Sequence, residues 1–253
     1  MIDTHAHLDF PQLYKDLPEV IQRAKKAGIS KIIEIGCSGK RAKKAISIAE
    51  KYENVFACIG IHPNDVKEDF DREFQIIKKL ASHKKVVAIG ECGFDFFYPE
   101  NATEEKQAYA LQQHFLLAEK LNLPLVLHFR EAQKQAINFL KKNKPKNFVV
   151  HCFSSDLTFA KEIIALKGLI SLTGIITFPK AEILRKVVKE IPLSKIMLET
   201  DCPFLAPGKF RGKVNEPAFV IEIAKKIAEI KGVSLQNVDE VTTKNAERFF
   251  LSR

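Results

Sequence analysis

The chain predicts a (β/α)8 barrel, and three observations carry that reading. Short β-branched or apolar runs recur near residues 1–7, 31–36, 55–61, 86–91, 125–128, 148–151, 169–176 and 196–200. Segments of helical periodicity alternate with them, which is the pattern of a parallel α/β fold. Several of the runs end in a residue able to bind a metal, and the active site of this barrel sits at the C-terminal ends of its strands. An open, doubly wound sheet is the structural alternative. It would hold ligands from the first and last strands far apart, whereas closure makes those strands neighbours.

The first run, Met1-Ile-Asp-Thr-His-Ala-His-Leu-Asp9, carries His5 and His7 one residue apart. Side chains at i and i+2 project from one face of a strand, so two imidazoles can share a divalent metal. The fourth run, Val86-Val-Ala-Ile-Gly-Glu91, ends in a carboxylate. Leu125-Val-Leu-His128 and Phe148-Val-Val-His151 end in imidazoles, and Ile196-Met-Leu-Glu-Thr-Asp201 ends in a second carboxylate. Burying such groups costs roughly several kcal/mol unless they are paired or coordinated, so a divalent metal is the economical companion for His5, His7, Glu91, His128, His151 and Asp201. The competing explanation is a buried hydrogen-bonded network without metal.

Helical periodicity is expected over 18–27, 39–52, 69–82, 131–142, 156–167, 180–191, 216–231 and 234–250. It is clearest from Thr103 to Leu121, where Ala108, Leu111, Phe115 and Ala118 recur at spacings of three and four. Glu104 and Glu105 fall in the first turn of that helix, complementing its dipole. No linker rich in Gly, Ser or Pro interrupts the chain, so residues 1–253 are read as one barrel domain.

Composition narrows the classes. Hydrophobic residues at 46% and charged residues at 28% are ordinary for a soluble globular chain. No apolar stretch reaches the roughly twenty residues that a membrane helix needs. Asp3, His5, His7 and Asp9 stand where a signal peptide would need a basic start and an apolar core, so a cytoplasmic location is expected. Five cysteines without a Cys-x-x-Cys spacing argue against a disulfide framework or a zinc knuckle. Cys92, Cys152 and Cys202 directly follow candidate ligands, and strand alternation turns them away as packing thiols. A net charge of +9 suits a polyanionic partner such as nucleic acid, although most of the basic residues are expected on solvated helix faces. Nothing calls for a membrane or an obligate protein partner.

The motifs Asp3-Thr-His-Ala-His-Leu-Asp9, Gly60-Ile-His-Pro63, Ile89-Gly-Glu-Cys-Gly93, Leu127-His-Phe-Arg-Glu131, His151-Cys-Phe-Ser154, Glu199-Thr-Asp-Cys-Pro203 and Arg211-Gly-Lys-Val-Asn-Glu-Pro217 follow one another in order. Together they closely resemble the TatD family of metal-dependent deoxyribonucleases, within the amidohydrolase-like barrels. The resemblance runs the length of the chain, to Asn245-Ala-Glu-Arg-Phe-Phe250.

That resemblance implies two divalent ions, Mg, Mn or Zn. His5, His7, Glu91 and Asp201 would surround one, and Glu91 would bridge to a second held also by His128 and His151. It implies hydrolysis of a phosphodiester by an activated water, with Asp201 taking the proton and His62 near the scissile phosphate as a donor or acid. Glu91, His62 and Asp201 are thus the expected catalytic residues. Arg130 and Arg211 are candidates for phosphate contact, with pairing to Glu131 or Glu216 as the simpler alternative. The implied substrate is single-stranded DNA, trimmed from 3′ to 5′. The chain departs from the family around Phe129 and Glu131, at Ser155 and through Gly93-Phe-Asp-Phe-Phe-Tyr98, all of which bear on the substrate groove.

Other residues have plainer expectations. His83 and His114 are read as structural, and His62 could instead fix the turn at Pro63. Asp3 and Glu199 are placed behind the ligands, orienting imidazoles. Phe96, Phe97 and Tyr98 are expected to anchor their loop into the helix layer, with base stacking as the alternative. Two other functions compete. A metal-dependent esterase or deacylase acting on aminoacyl-tRNA, or on another ester or amide, would use the same ligands and charge. A non-catalytic nucleic-acid-binding module would have no use for an open metal centre.

Overall fold

In a computed structural model that describes residues 1–252, eight parallel strands follow one another around a single sheet in the order β1 to β8. They are β1 (Ile2–Ala6), β2 (Lys31–Gly36), β3 (Val55–Ile59), β4 (Val86–Asp95), β5 (Leu125–Arg130), β6 (Phe148–Val150), β7 (Leu169–Leu172) and β8 (Ile196–Leu198). The helices are α1 (Pro11–Tyr14), α2 (Leu17–Lys26), α3 (Gly39–Lys51), α4 (Phe70–Leu80), α5 (Glu104–Leu121), α6 (Gln133–Asn143), α7 (Leu157–Ala165), α8 (Glu182–Glu190), α9 (Val220–Lys231) and α10 (Leu235–Phe250). A bridge between Ala6 and Cys202 sets the end of β1 beside the segment that follows β8. The amide of Asp201 donates to the carbonyl of His5 at 2.9 Å, and that of His7 to Cys202 at 2.8 Å. The fold is the (β/α)8 barrel.

Two compact units make up the chain. One comprises Met1–Glu34, Cys152–Ala165 and the residues from Leu169 onward; the other comprises Ile35–His151 with Leu166–Gly168. In each, most strand residues are buried, as expected where both faces of a parallel sheet are covered, while β5 is only partly buried from His128 to Arg130. Ile32, Ile33, Ile59, Ile89 and Leu125 are among the fully buried side chains.

Element boundaries differ from expectation at informative places. β4 extends past Glu91 to Asp95, so Glu91 lies within the strand and not at its end. Its register against β5 shifts between Gly90 and Cys92 and then continues, pairing Gly93 with His128 and Asp95 with Arg130. A glycine is required at 93: a Cβ there would stand 1.9 Å from the carbonyl oxygen of His128. β7 stops at Leu172 and passes into a 3-10 turn over Gly174–Thr177, where Thr173 accepts from the amide of Ile175. A short helix, α1, precedes the first expected one because Pro11 at its first turn is compatible with helical φ.

Candidate metal centre

His5 and His7 occupy the end of β1 and the residue just beyond it, and both are buried. Asp201 follows β8 with a left-handed backbone (φ 55), which turns the chain after Thr200. Nε2 of His7 lies 3.3 Å and Nε2 of His5 3.7 Å from Oδ1 of Asp201. Donor atoms of the three residues lie within 4.8 Å of one another. Two imidazoles and a carboxylate at this spacing form a set able to hold a divalent metal.

The unit containing β3 to β6 holds the second donor set, centred on Glu91. Its Oε1 is 2.6 Å from Nε2 of His151, 3.0 Å from Nδ1 of His128 and 3.3 Å from Nε2 of His62. Nδ1 of His128 and Nε2 of His151 are themselves 3.0 Å apart. Several lone-pair atoms crowded onto one carboxylate oxygen need protons or a cation among them, and a divalent ion fits that donor set. Oε2 of Glu91 faces elsewhere, accepting from Sγ of Cys37 at 3.6 Å. The sequence-predicted ligands Glu91, His128 and His151 are therefore together, and His62 joins them.

His62 fixes its turn and also faces Glu91. Its Nδ1 accepts from the amide of Asn64 at 3.1 Å, fixing the turn at Pro63, while Nε2 faces Glu91. Behind the turn, His114 is buried and accepts at Nε2 from the amide of Ile61 at 2.9 Å. Its Nδ1 is 2.7 Å from the carbonyl of Ala110. Burial holds its pKa down at about 4, so this ring is neutral and structural, as expected. His83 lies 3.3 Å from Glu50 on the exposed side.

Sequence reasoning missed Asp95. Its Oδ2 stands 3.1 Å from Nε2 of His128, leaving Nδ1 to face Glu91. Burial alone would lower the His128 pKa, but the carboxylates of Asp95 and Glu91 outweigh it and raise the value. Conversely, burial pushes Asp95 up, and the bonds from His128 and from the Phe97 amide bring it below the usual carboxylate range. Glu34 was also missed, although a carboxylate inside the apolar run Lys31-Ile-Ile-Glu-Ile-Gly36 is a legible signal. It accepts from the amides of Leu8 and Asp9 at 2.6 and 3.1 Å, holding the turn after His7.

Asp3 does not orient an imidazole. It accepts from the amide and hydroxyl of Thr200 at 2.8 and 2.6 Å, and more weakly from the amide of His5. Burial pushes its pKa up to about 8 against those bonds. Glu199 accepts from the amide of Cys152 at 2.6 Å and from the hydroxyl of Ser171 at 2.5 Å.

The arginines also depart from the simpler expectation. Glu216 is engaged by Arg23, whose Nε and Nη2 donate to it at 2.6–2.9 Å, so it does not pair with Arg211. Arg211 instead lies over the ring of Phe178, 4.7 Å from its centroid. Arg130 lies over Phe97 at 3.6 Å and does not pair with Glu131. Phe97 and Tyr98 are 45% and 40% exposed, so they do not anchor the loop into the helix layer.

The comparisons with known proteins agree with this architecture. The family model described as TatD related DNase matches residues 2–251. The "uncharacterized metal-dependent hydrolase YabD" of Bacillus subtilis is 37% identical over 252 residues, spanning 99% of this chain and 98% of its own length. The "uncharacterized metal-dependent hydrolase YcfH" of Escherichia coli is 32% identical, spanning 99% of this chain and 95% of its own. Among solved structures, the TatD homologue YjjV of Escherichia coli superposes with a TM-score of 0.93 at 30% identity, covering 100% of this chain and 98% of that one. A TatD-family hydrolase from Entamoeba histolytica does so at 0.89 and 26% identity, covering 100% and 98%. The chain belongs to the TatD-related DNase family.

Proposed function

We propose that the protein is a divalent-metal-dependent hydrolase that cleaves nucleic-acid phosphodiester bonds, a TatD-like deoxyribonuclease trimming single-stranded DNA from 3′ to 5′. The observation that carries this is the convergence of His62, His128 and His151 on one oxygen of Glu91. The names of the similar proteins support metal-dependent hydrolysis, and the family's name supports DNA. The +9 charge favours encounter with a polyanion. Free cysteines at all five positions suit a reducing compartment such as the cytoplasm.

In this reading the whole chain acts as one hydrolase domain. His5, His7, Glu91 and Asp201 would hold one ion, and Glu91, His128 and His151 a second. Such ions supply an activated water and offset charge on the reacting phosphate. The side chains do the rest. Asp201, 15% exposed at its side chain, is the carboxylate that would take a proton from the attacking water. His62, its Nδ1 engaged by Asn64, leaves Nε2 as the atom that can carry a proton to the departing oxygen. Arg130 and Arg211 offer paired donors to phosphate.

The test is to strip the protein of metal and incubate it with end-labelled single-stranded DNA, adding Mg, Mn or Zn singly, beside a Glu91→Gln control. Progressive metal-dependent shortening that is absent from the control is the expected result. Intact DNA under every metal, with metal binding confirmed, would reject the nuclease reading and direct the search to aminoacyl-tRNA and other esters.

A further inference from the structure

We infer that Phe97, Tyr98 and Arg130 form a built subsite for an unpaired nucleotide, with the phosphate taken by Arg130 and the base set against the exposed rings. The inference rests on the nucleic-acid reading above and names the part of that substrate recognised here. Arg130 ends β5 two residues beyond His128, so the two side chains project from the same face of the strand. Its guanidinium stacks on Phe97 at 3.6 Å from the ring centroid and lies 5.2 Å from that of Tyr98. The two rings meet edge to face, with centroids 4.8 Å apart. Among the described residues no carboxylate forms a salt bridge with Arg130, and Asp95 acts on it only through its charge, so its donor edges stay available while one face is held by the aromatic.

The platform is tied to the metal centre through Asp95. That residue binds His128 through Oδ2 and accepts from the amide of Phe97 through Oδ1 at 3.0 Å. The amide of Phe96 donates to the carbonyl of Arg130 at 3.0 Å. Nδ2 of Asn101 and Nε2 of Gln107 both donate to the carbonyl of Asp95 at 3.0 Å. Large apolar rings left exposed on so well-braced a segment fit a stacking surface better than a packing one. A duplex hides its base faces, whereas a single strand offers them together with its phosphates. The subsite therefore selects single strands.

The experiment is steady-state kinetics of the metal-loaded protein and of Phe97→Ala, Phe97→Tyr, Arg130→Lys and the double variant, on single-stranded and duplex oligonucleotides. Wild-type hydrolysis of bis(p-nitrophenyl) phosphate reports the chemistry without a nucleotide. Phe97→Ala and Arg130→Lys are expected each to raise KM for the single strand about tenfold, with the loss falling in KM and not in kcat. The double variant should lose less than the product of the two, because the pair acts as one unit. Phe97→Tyr should restore the wild-type KM. An unchanged KM in both single variants, or a loss confined to kcat, overturns the subsite while leaving the nuclease reading intact. Wild-type cleavage of the small diester with no cleavage of any oligonucleotide overturns that reading itself, and the subsite with it.

Discussion

Nε2 of His128 stands 3.1 Å from Oδ2 of Asp95, and Nδ1 of the same ring stands 3.0 Å from Oε1 of Glu91. The imidazole is held at both nitrogens by carboxylates from one strand, β4, spaced four residues apart. The Asp95 contact would not form if β4 ended at Glu91, where the sequence pattern suggests. Its continuation to Asp95 brings the second carboxylate alongside β5 and fixes which nitrogen of His128 is offered to the metal centre.

Asp95→Asn should therefore weaken metal binding without removing a ligand. The amide can still face Nε2, but it lacks the charge that raises the basicity of the ring. Partners of this kind are commonly worth about 10–100-fold in metal affinity. Competition against a fluorescent chelator gives the constant directly. Affinity equal to wild type would show that Asp95 serves the loop alone.

Gly93→Ala should be among the most damaging small substitutions in the chain. Position 93 has φ 152, and the added methyl would meet the His128 carbonyl at 1.9 Å, a backbone atom that cannot swing aside. Separating β4 from β5 at that point displaces His128 and the Asp95–Arg130 pair together. A loss of about 3 kcal/mol or more in unfolding free energy is expected. Chemical denaturation compared with a Gly212→Ala control, where nothing lies within 4 Å of the added carbon, separates crowding from the strain of a positive φ.

Glu34→Ala removes the acceptor for the amides of Leu8 and Asp9. Both residues are buried, so water does not readily replace the carboxylate. Two unsatisfied amides cost about 2–4 kcal/mol together. The turn after His7 should loosen, lowering metal affinity along with the thermal midpoint. Glu34→Gln, which keeps one acceptor oxygen, should recover part of both losses.

Much of the barrel and of the candidate donor set was legible because strand period and side-chain chemistry are local properties. His5 and His7 declare themselves by their spacing, and Glu91, His128 and His151 by carboxylate or imidazole following an apolar run. Asp95 was not legible, since its role depends on β4 outrunning its apolar stretch and on a register set by Gly90 and Gly93. The partner of Glu216 was equally hidden: Arg23 lies far away in sequence, and only the packing of their shared unit brings them together. The stacking of Arg130 on Phe97 required the loop after β4 to fold back over β5, which no periodicity encodes. Local chemistry named the donors, and tertiary register decided what stands behind them.

His114 gives the fold a defined acid sensitivity. Its ring is enclosed by Phe70 and Phe74, with Nε2 accepting from Ile61 and Nδ1 committed to Ala110. Burial lowers its pKa from 6.5 to about 4, so the unfolded chain takes up a proton here before the folded one does. Stability from this residue is fully present above about pH 6.5 and is lost as pH falls toward 4, amounting to about 3 kcal/mol over that window. Denaturation of wild type and of His114→Gln at a series of pH values isolates the contribution from every other titrating group. The wild-type advantage should shrink steadily between pH 6.5 and 4 and then level off. A difference that stays constant with pH would mean that the ring protonates in place, giving up its bond from Ile61 without cost to the fold.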